Sequence, residues 1–473
     1  MLRQPDGRGR FRPAYATGLV AATLVLSAAC SVNRPPEEAA AAVAAEPPAP
    51  PDSWDAAAAA VGAVEVGWID SFDDQALAEL VQEAQEHNRN LRAAAAGVER
   101  ARALARQAAK SLRPAVSASA GASAAGTAAD PAAAEQVTAG LEIGWEADVW
   151  GRLSAGRRAA AASAQAAEAD YRFARHSLAA GVAKGYFLAI ESRLQEDLAR
   201  SQVEALEETL RIVELRYEQG LVGAQDVALA RSDLASARDR LLTVEASERG
   251  AERALELLLG RYPAAELKVR ASLPELPPDP PAGVPSGILE GRPDLVAAER
   301  RVAAAFDSLD EARAAALPSI RLTGSLGAAS SGLSDLLAPS NVAWRAASSL
   351  LAPLLDRGGR RARIEVATAD QERALALYGD AALAAFGEVE AALDLGIVLK
   401  SRREELEIAA REAAEAYRIA DLRYREGESD LLDVLTVRRR VFAADTNLIS
   451  VRRLLLDQRI DLHLALGGSW DAE

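Results

Sequence analysis

The side chains that most often carry chemistry in proteins are few in this chain and stand far apart. Its three histidines, His87, His176 and His463, are scattered, and Cys30 is the only cysteine, so no intramolecular disulfide can form. There is no glycine-rich loop for phosphate, no His and Cys spacing for a metal, and no serine elbow. We therefore expect no enzymatic activity, no cofactor and no metal.

One short segment does gather reactive groups, and all of them are carboxylates. Glu426, Glu428, Asp430 and Asp433 crowd a single predicted turn. Repeated by symmetry in an oligomer, such carboxylates would form a ring of negative potential that favours cations. A solvated acidic helix end has the same composition, so both interpretations stay open.

The N-terminus has the pattern of a secretory signal over residues 1–29. A basic stretch precedes an apolar run at 18–26, and small residues lead directly to Cys30. A cysteine in this place is typical of lipidation in bacterial lipoproteins, the alternative being an incidental thiol. Residues 30–66 contain several proline pairs and predict an irregular tether behind the lipid anchor.

Composition favours long helices and argues against one class of partner. Half of the residues are hydrophobic but only 4% are aromatic, and alanine is the most frequent of the hydrophobic residues. The formal net charge of -15 argues against a nucleic acid partner, because such proteins usually carry an excess of basic residues. We expect long packed helices and no nucleic acid partner.

The chain contains an internal repeat. Arg216, Tyr217 and Gly220 recur in the same order as Arg423, Tyr424 and Gly427, and other ordered matches follow at nearly the same displacement. A proline-rich stretch separates the copies. We divide the chain at these features: a first repeat at 67–262, a crossover linker at 263–288, a second repeat at 289–470 and a tail at 471–473.

Each repeat combines long helices with two short strands. Residues Leu153 to Glu218 follow a coiled-coil apolar pattern, and as a helix they would be about 100 Å long. The predicted strands alternate apolar and polar residues, and a loop of small residues joins each pair, at 122–140 and 328–341. These strands are Pro114–Gly121, Leu141–Val149, Pro318–Gly327 and Val342–Leu354.

Such strands suit a membrane only if subunits share them. An open four-stranded sheet would leave unpaired backbone groups in lipid, so several subunits must pool their strands. A periplasmic sandwich is the alternative for the same pattern. The fold class we predict is mainly α with a small β part.

Several motifs occur in the order found in one family of bacterial transport proteins. The chain resembles the TolC-like outer-membrane factors, especially their lipoprotein branch of NodT type. The motifs that carry this resemblance are Trp68–Asp74, Trp145–Arg152, Gly291–Leu295, Leu354–Arg360 and Leu466–Trp470.

The resemblance implies a homotrimer in the outer membrane of a Gram-negative bacterium. Each subunit would give four strands to a twelve-stranded barrel, and long coiled-coil helices would form a tunnel in the periplasm. The tunnel would dock on a periplasmic adaptor and an inner-membrane pump. The adaptor-contact candidates are Arg216, Tyr217, Gly220, Arg423, Tyr424 and Gly427, although ordinary helix capping also explains both glycines.

The same likeness implies a gate at the periplasmic end. Tyr424 matches the gate tyrosine of the family, and Asp433 matches an acidic gate position, with Asp430 a further candidate. Ser429 and Thr436 replace other residues of that locking network. The predicted function is a passive efflux channel for small molecules; a periplasmic adaptor, a structural coiled-coil lipoprotein and a type I secretion channel are the alternatives.

Overall fold

The computed structural model describes residues 41–43, 45–46, 53–56, 67–125, 135–281 and 285–468. These residues belong to two compact units. The first unit contains Ala103–Ala162 and Val302–Arg373, and the second contains Val43–Arg102, Ser163–Arg301 and Ala374–Glu473. Cys30 lies outside the described residues.

The first unit contains a four-stranded antiparallel sheet whose strands follow chain order. Its strands are β1 (Ala115–Ala124), β2 (Glu135–Ala147), β3 (Ser319–Ser330) and β4 (Val342–Leu351). Within the described residues, β1 and β4 each pair on one side only. The central contact joins β2 of the first repeat to β3 of the second.

The register of the sheet separates an apolar face from a polar one. Leu141 pairs with Leu326, which in turn pairs with Trp344, and all three lie on one face. One residue further along, Glu142 pairs with Ser325, and Ser325 pairs with Arg345, on the opposite face. The predicted alternation is therefore confirmed, because successive side chains in a strand point to opposite faces.

The strands of the first repeat are longer than the sequence predicted. Residues 122–124 and 135–140, which we expected in the loop, continue β1 and β2. Their alanine, glycine and threonine side chains give a weak apolar signal, yet the backbone ladder continues through them. Two strands end before their predicted limits: β2 stops at Ala147 instead of Val149, and β4 of the second repeat stops at Leu351 instead of Leu354.

Two aspartates explain why helices begin directly after the sheet. The Asp148 carboxylate accepts hydrogen bonds from the backbone N–H groups of Leu153 and Ser154, each at 2.8 Å. In the second repeat, Asp356 accepts from the Arg360 N–H at 2.7 Å. Each carboxylate satisfies N–H groups that have no partner inside the helix, which favours helix initiation there.

The described residues form seven α-helices of more than ten residues. The short ones are α1 (Gln75–His87), α2 (Arg89–Lys110) and α5 (Pro293–Ala314); the long ones are α3 (Arg152–Glu218), α4 (Ala224–Leu258), α6 (Gly359–Glu426) and α7 (Leu431–Ala465). The predicted long helix over Leu153 to Glu218 is confirmed. In the part of the chain described, every helix is too short or too polar to cross a membrane.

The internal repeat is visible in the way the helices end. Gly260 and Gly467 have φ of 77° and 79°, and in both cases the glycine N–H bonds back three residues at 3.1 Å. A Cβ on Gly260 would lie 2.6 Å from the His87 carbonyl oxygen, so glycine is needed for space as well as for φ. The last carbonyl groups of α4 and α7 accept hydrogen bonds from different side chains in the two repeats. Asn88 donates to the Leu258 carbonyl of α4 at 2.9 Å, and Arg292 donates to the Ala465 carbonyl of α7 at 3.1 Å.

One apolar cluster in the second unit includes several buried aromatic side chains. Trp68 and Phe72, from the first predicted family motif, are each 2% exposed and meet edge to face with centroids 6.1 Å apart. Phe72 also contacts Phe187 on α3. A large aromatic ring buries more apolar surface than an alanine side chain, so these rings contribute strongly to the stability of this region.

One short piece of the predicted tether packs against the second unit. Trp54 is 5% exposed and lies among Ala382, Ala385 and Phe386 of α6. The Glu390 carboxylate accepts hydrogen bonds from the backbone N–H groups of the next two residues, both at 2.9 Å. Trp54 lies within the predicted irregular tether of 30–66, where a lone tryptophan among prolines and alanines has no helical or strand period.

Candidate functional site

The candidate site is the pair of helical hairpin ends in the second unit, where the repeated Arg-Tyr motifs lie. We call the turn between α3 and α4 the first tip (residues 216–226) and the turn between α6 and α7 the second tip (residues 423–433). Gly220 and Gly427 have φ of 73° and 81°, the left-handed conformation predicted for both. In each tip, the residue after the glycine donates to the carbonyl of the arginine, Arg216 or Arg423, five positions earlier.

The two tips begin their second helix with different capping residues. In the first tip, Asp226 accepts a hydrogen bond from the Gly223 N–H at 3.1 Å. In the second tip, Asp430 occupies the place of Gly223 and accepts from the Asp433 N–H at 3.0 Å. Asp430 therefore has a structural role as the N-cap of α7.

Because Asp430 caps α7, the carboxylate of Asp433 is not part of the cap in the second tip. Asp433 is exposed, and among the described residues the structure gives its carboxylate no hydrogen bond or ion pair. The equivalent Asp226 is engaged with its own N-cap. Both gate acids predicted from sequence are exposed in the protomer, and Asp433 is the one whose carboxylate has no hydrogen bond within the described residues.

The two repeated tyrosines lie in opposite environments. Tyr217 is 48% exposed, whereas Tyr424 is 6% exposed and belongs to an apolar cluster with residues of all four long helices. The cluster contains Val203, Leu206, Val213, Val227, Ala230, Leu234, Ala237, Tyr424, Leu431, Val434 and Leu435. The Tyr424 hydroxyl has no hydrogen-bond partner within the described residues.

Arg216 joins the first tip to the second. Its guanidinium carbon lies 4.5 Å from the centroid of the Tyr424 ring, the geometry of a cation–π contact. The same group donates to the backbone carbonyls of Tyr424 at 3.2 Å and Arg425 at 3.3 Å. Its repeat counterpart Arg423 is exposed and only approaches Glu428 at 4.0 Å. Arg216 is thus engaged within the protomer, while Arg423 points its charge outward.

A second arginine connects the hairpins further along the helices, and the sequence analysis did not single it out. Arg438 of α7 donates to Thr209 at 2.8 Å and to the Ala205 carbonyl at 3.0 Å, both on α3. It also bonds the Tyr417 hydroxyl of α6 and covers that ring at 4.9 Å. A signal was present, since the repeat places Arg231 at the matching position of α4.

The acidic cluster around the second tip is solvated rather than assembled into a metal site. Glu426 and Glu428 are exposed, and Asp421 is paired with Arg425 at 2.9 Å. Within the described ranges, no three His, Cys, Asp or Glu side chains are placed to hold a metal ion. The contacts at this site hold the two hairpin ends together. The exposed charges and the exposed Tyr217 are available to bind other molecules.

Comparison with known proteins identifies the family. A model of the outer membrane efflux protein family matches residues 80–261 and 284–468. The pyoverdine export outer membrane protein OpmQ of Pseudomonas aeruginosa is 33% identical over 427 residues, which cover 86% of this chain and 88% of OpmQ.

Solved structures give the same result for the fold. The Campylobacter jejuni CmeC outer membrane channel superposes with a TM-score of 0.83 at 25% identity, covering 87% of this chain and 90% of CmeC. The open state of the Neisseria gonorrhoeae MtrE outer membrane channel gives a TM-score of 0.80 at 29% identity, covering 89% and 96% of the two chains.

These matches confirm the resemblance, the fold class and the efflux function predicted from sequence, and they support an outer-membrane location. The matched proteins are channels and efflux components rather than enzymes. The chain belongs to the outer membrane efflux protein family.

Proposed function

We propose that three copies of this chain form a passive channel through which small molecules leave the cell across the outer membrane. Each copy contributes β1 to β4 to a twelve-stranded barrel. One observation carries this proposal above the rest: the sheet has an apolar row and a polar row on opposite faces, and within the described residues its two edge strands each pair on one side only. A sheet of this kind needs its edges closed before it can lie in lipid.

The lengths of the strands agree with this role. The strands have 10 to 13 residues, and a tilted membrane strand needs about 9–11. Val116, Ile143, Leu326 and Trp344 are exposed on the apolar face of the protomer. Large apolar side chains that are exposed together on one face indicate contact with lipid or another apolar partner.

The long helices extend the channel into the periplasm in this proposal. There the two tips of each subunit meet a periplasmic adaptor, which in turn connects to an inner-membrane pump. Support comes from the exposed side chains of the tips: Tyr217 and Leu221 in the first, Arg423 and Glu428 in the second. Because Arg216 and Tyr424 are occupied with each other, the adaptor contacts fall on their neighbours Tyr217, Gly220, Arg423 and Gly427.

Tyr424, Asp433 and the contact of Tyr424 with Arg216 form the gate in this proposal. Closing a pore at its narrow end requires links that break at moderate cost, and a cation–π contact with two hydrogen bonds is such a link. Asp433 supplies the exposed negative charge. Asp430 contributes by capping α7 rather than by facing the pore.

The N-terminal part of the proposal concerns anchoring. Cleavage after residue 29 exposes Cys30 for acylation, and the tether of 30–66 runs from the lipid to the body of the protein. Trp54 and Glu390 attach that tether to α6. The first repeat, the linker at 263–288 and the second repeat then form the body of the channel.

The family match favours a channel over a periplasmic adaptor or a structural coiled-coil lipoprotein. The relative OpmQ is named for pyoverdine export, and we propose that this chain likewise exports small organic molecules. The competing hypothesis is that the same channel serves a type I secretion system and exports a protein.

Planar-bilayer recording of the purified full-length chain tests the proposal. Native mass spectrometry of the same sample should give a trimer, and the bilayer should show discrete, repeated conductance steps. A folded protein that yields no conductance at any voltage contradicts the channel. Expression in a strain that lacks its own efflux outer-membrane protein then separates cargoes: restored resistance to small toxic compounds supports efflux, and restored secretion of a protein alone contradicts it.

A further inference from the structure

The polar face of the sheet carries four charged side chains in register. They are Glu142 and Glu146 on β2, Arg321 on β3 and Arg345 on β4. Apart from Gln136 and Leu351, the rest of that face consists of small residues, among them Ser117, Ser119, Gly140, Gly144, Thr323, Gly327, Ala343 and Ala347. The two arginines are therefore the longest side chains on this face.

One of the four charges is neutralised within the protomer. Glu146 accepts hydrogen bonds from Arg152 at 2.8 and 3.1 Å. Glu142, Arg321 and Arg345 are exposed, and within the described residues none of the three has an ion pair. The face thus holds two free positive charges and one free negative charge.

The register shows how close these free charges are. Glu142 pairs with Ser325, and Ser325 pairs with Arg345, so the three side chains form one row across the sheet. With strands about 4.8 Å apart, Glu142 and Arg345 are separated by roughly 10 Å of backbone. Arg321 lies two rows further along the same face, beside Glu146 and Ser349.

We propose that Glu142, Arg321 and Arg345 form a charged belt inside the pore, which sets a preference for anions in the part of the channel built from strands. This inference rests on the proposed function, because it requires the polar face to line the lumen. Each subunit contributes a net charge of +1, and threefold symmetry repeats it around the pore.

The belt has a physical consequence for what passes. At physiological salt, a fixed charge acts over about 8 Å, so a belt of long side chains reaches ions inside a narrow pore. Rings of arginine or lysine favour anions in pores, as rings of carboxylates favour cations. The acidic second tip and the basic belt would therefore select in opposite directions, and the chemical class that the belt favours is small organic anions.

The chloride-to-potassium permeability ratio of the trimer, from reversal potentials in a KCl gradient, tests the belt. Arg345→Gln should lower this ratio by about twofold or more, and Glu142→Gln should raise it. Arg345→Lys is the matched control, because it keeps the charge and should leave the ratio near that of the native chain. All variants keep the acidic second tip, so differences between them report the belt.

Cysteine accessibility supplies a second measurement that does not depend on charge substitutions. Ser117 and its neighbour Ala118 lie on opposite faces of β1. A charged thiol reagent added to the bilayer chamber should change the current through Ser117→Cys and leave Ala118→Cys unchanged. The unsubstituted chain, whose single cysteine is Cys30, measures the change in current that the reagent causes without an introduced cysteine.

The outcomes separate the two proposals. If the native trimer gives no conductance, the proposed channel function fails. If it conducts but Arg345→Gln and Glu142→Gln both keep the native ratio, the belt is wrong and the channel stands. If the reagent blocks Ala118→Cys instead of Ser117→Cys, the polar face does not line the pore and the belt is again overturned.

Discussion

Arg216 of the first tip lies over the ring of Tyr424 of the second tip, 4.5 Å from its centroid, and donates to the carbonyl of the same residue at 3.2 Å. The two residues come from different copies of the internal repeat, yet they are not counterparts within it, since Arg216 matches Arg423. The repeat has therefore diverged so that one copy supplies the cation and the other the buried ring.

We expect Arg216→Ala to loosen the connection between the tips. The loss of a cation–π contact and two charged hydrogen bonds should cost about 1–3 kcal/mol in the closed arrangement. Bilayer recordings of the variant should show more frequent or larger openings than the native chain.

Arg423→Ala serves as the control for this prediction, because Arg423 is the exposed counterpart and has only one distant ion pair. Its gating should remain close to native. Equal gating changes in both variants would show that the Arg216 contact has no special role.

Asp433→Asn should reduce the preference of the closed or partly open channel for cations without destabilising the fold. Its carboxylate is exposed and free within the described residues, so removing the charge leaves no buried group unpaired. Reversal potentials in a KCl gradient measure the preference, and thermal unfolding followed by circular dichroism measures stability.

Asp430→Ala provides the contrast to Asp433→Asn. It removes the N-cap of α7 and should cost about 1 kcal/mol of stability. An Asp433→Asn channel with native ion preference would argue against a gate role and leave only a solvated helix end.

Stability should depend on the protonation of His463. The ring is 1% exposed and stacks on Trp68 at 5.7 Å. Burial, with the neighbouring Arg459 charge, lowers the pKa of His463 to about 4. The unfolded chain binds this proton more readily, so the contribution of the neutral ring is present above pH 6.5 and is lost as the pH falls toward 4, by up to about 3 kcal/mol.

The comparison of native chain with His463→Leu isolates this effect. Burial raises the pKa of Asp457 to about 6, which acts in the opposite direction because acid relieves the cost of its buried charge. That term is common to both proteins. The difference in thermal midpoint between them should shrink or reverse from pH 7 to pH 4.5, and a difference that stays constant with pH would contradict the prediction.

Arg459 should be essential for holding the crossover linker. It is 1% exposed on α7, donates to the Pro277 carbonyl at 2.5 Å and pairs with Asp279. Arg459→Ala leaves the buried Pro277 carbonyl without its donor, while the exposed Asp279 keeps its contact with Lys400, and the expected cost is about 1–3 kcal/mol. Urea unfolding measures the loss, and limited proteolysis should cut within residues 273–281.

Lys400→Ala is the matched control for the linker, because Lys400 contacts the same Asp279 from a solvent-exposed position. Exposed ion pairs contribute less than about 1 kcal/mol, so this variant should unfold near the native urea concentration. Similar losses in both variants would show that burial of Arg459 does not matter.

The local sequence pattern determines much of the secondary structure of this protein. The apolar period of residues 153–218, the glycines at 220 and 427 and the alternation around Ile320 depend only on neighbours in sequence, and the helix, the left-handed caps and the strand that they predict are all present. Motif order was enough to predict the family, which the comparisons confirm.

Tertiary structure decided what each member of a repeated pair does. Tyr217 and Tyr424 share one motif, but only Tyr424 is buried, because burial depends on which helices from the other repeat pack against it. The contacts of Arg216, Arg438 and Glu390 join residues more than 200 positions apart, and local spacing carries no information on such pairs. The row of Glu142, Ser325 and Arg345 likewise depends on strand register, which is set by pairing between the repeats.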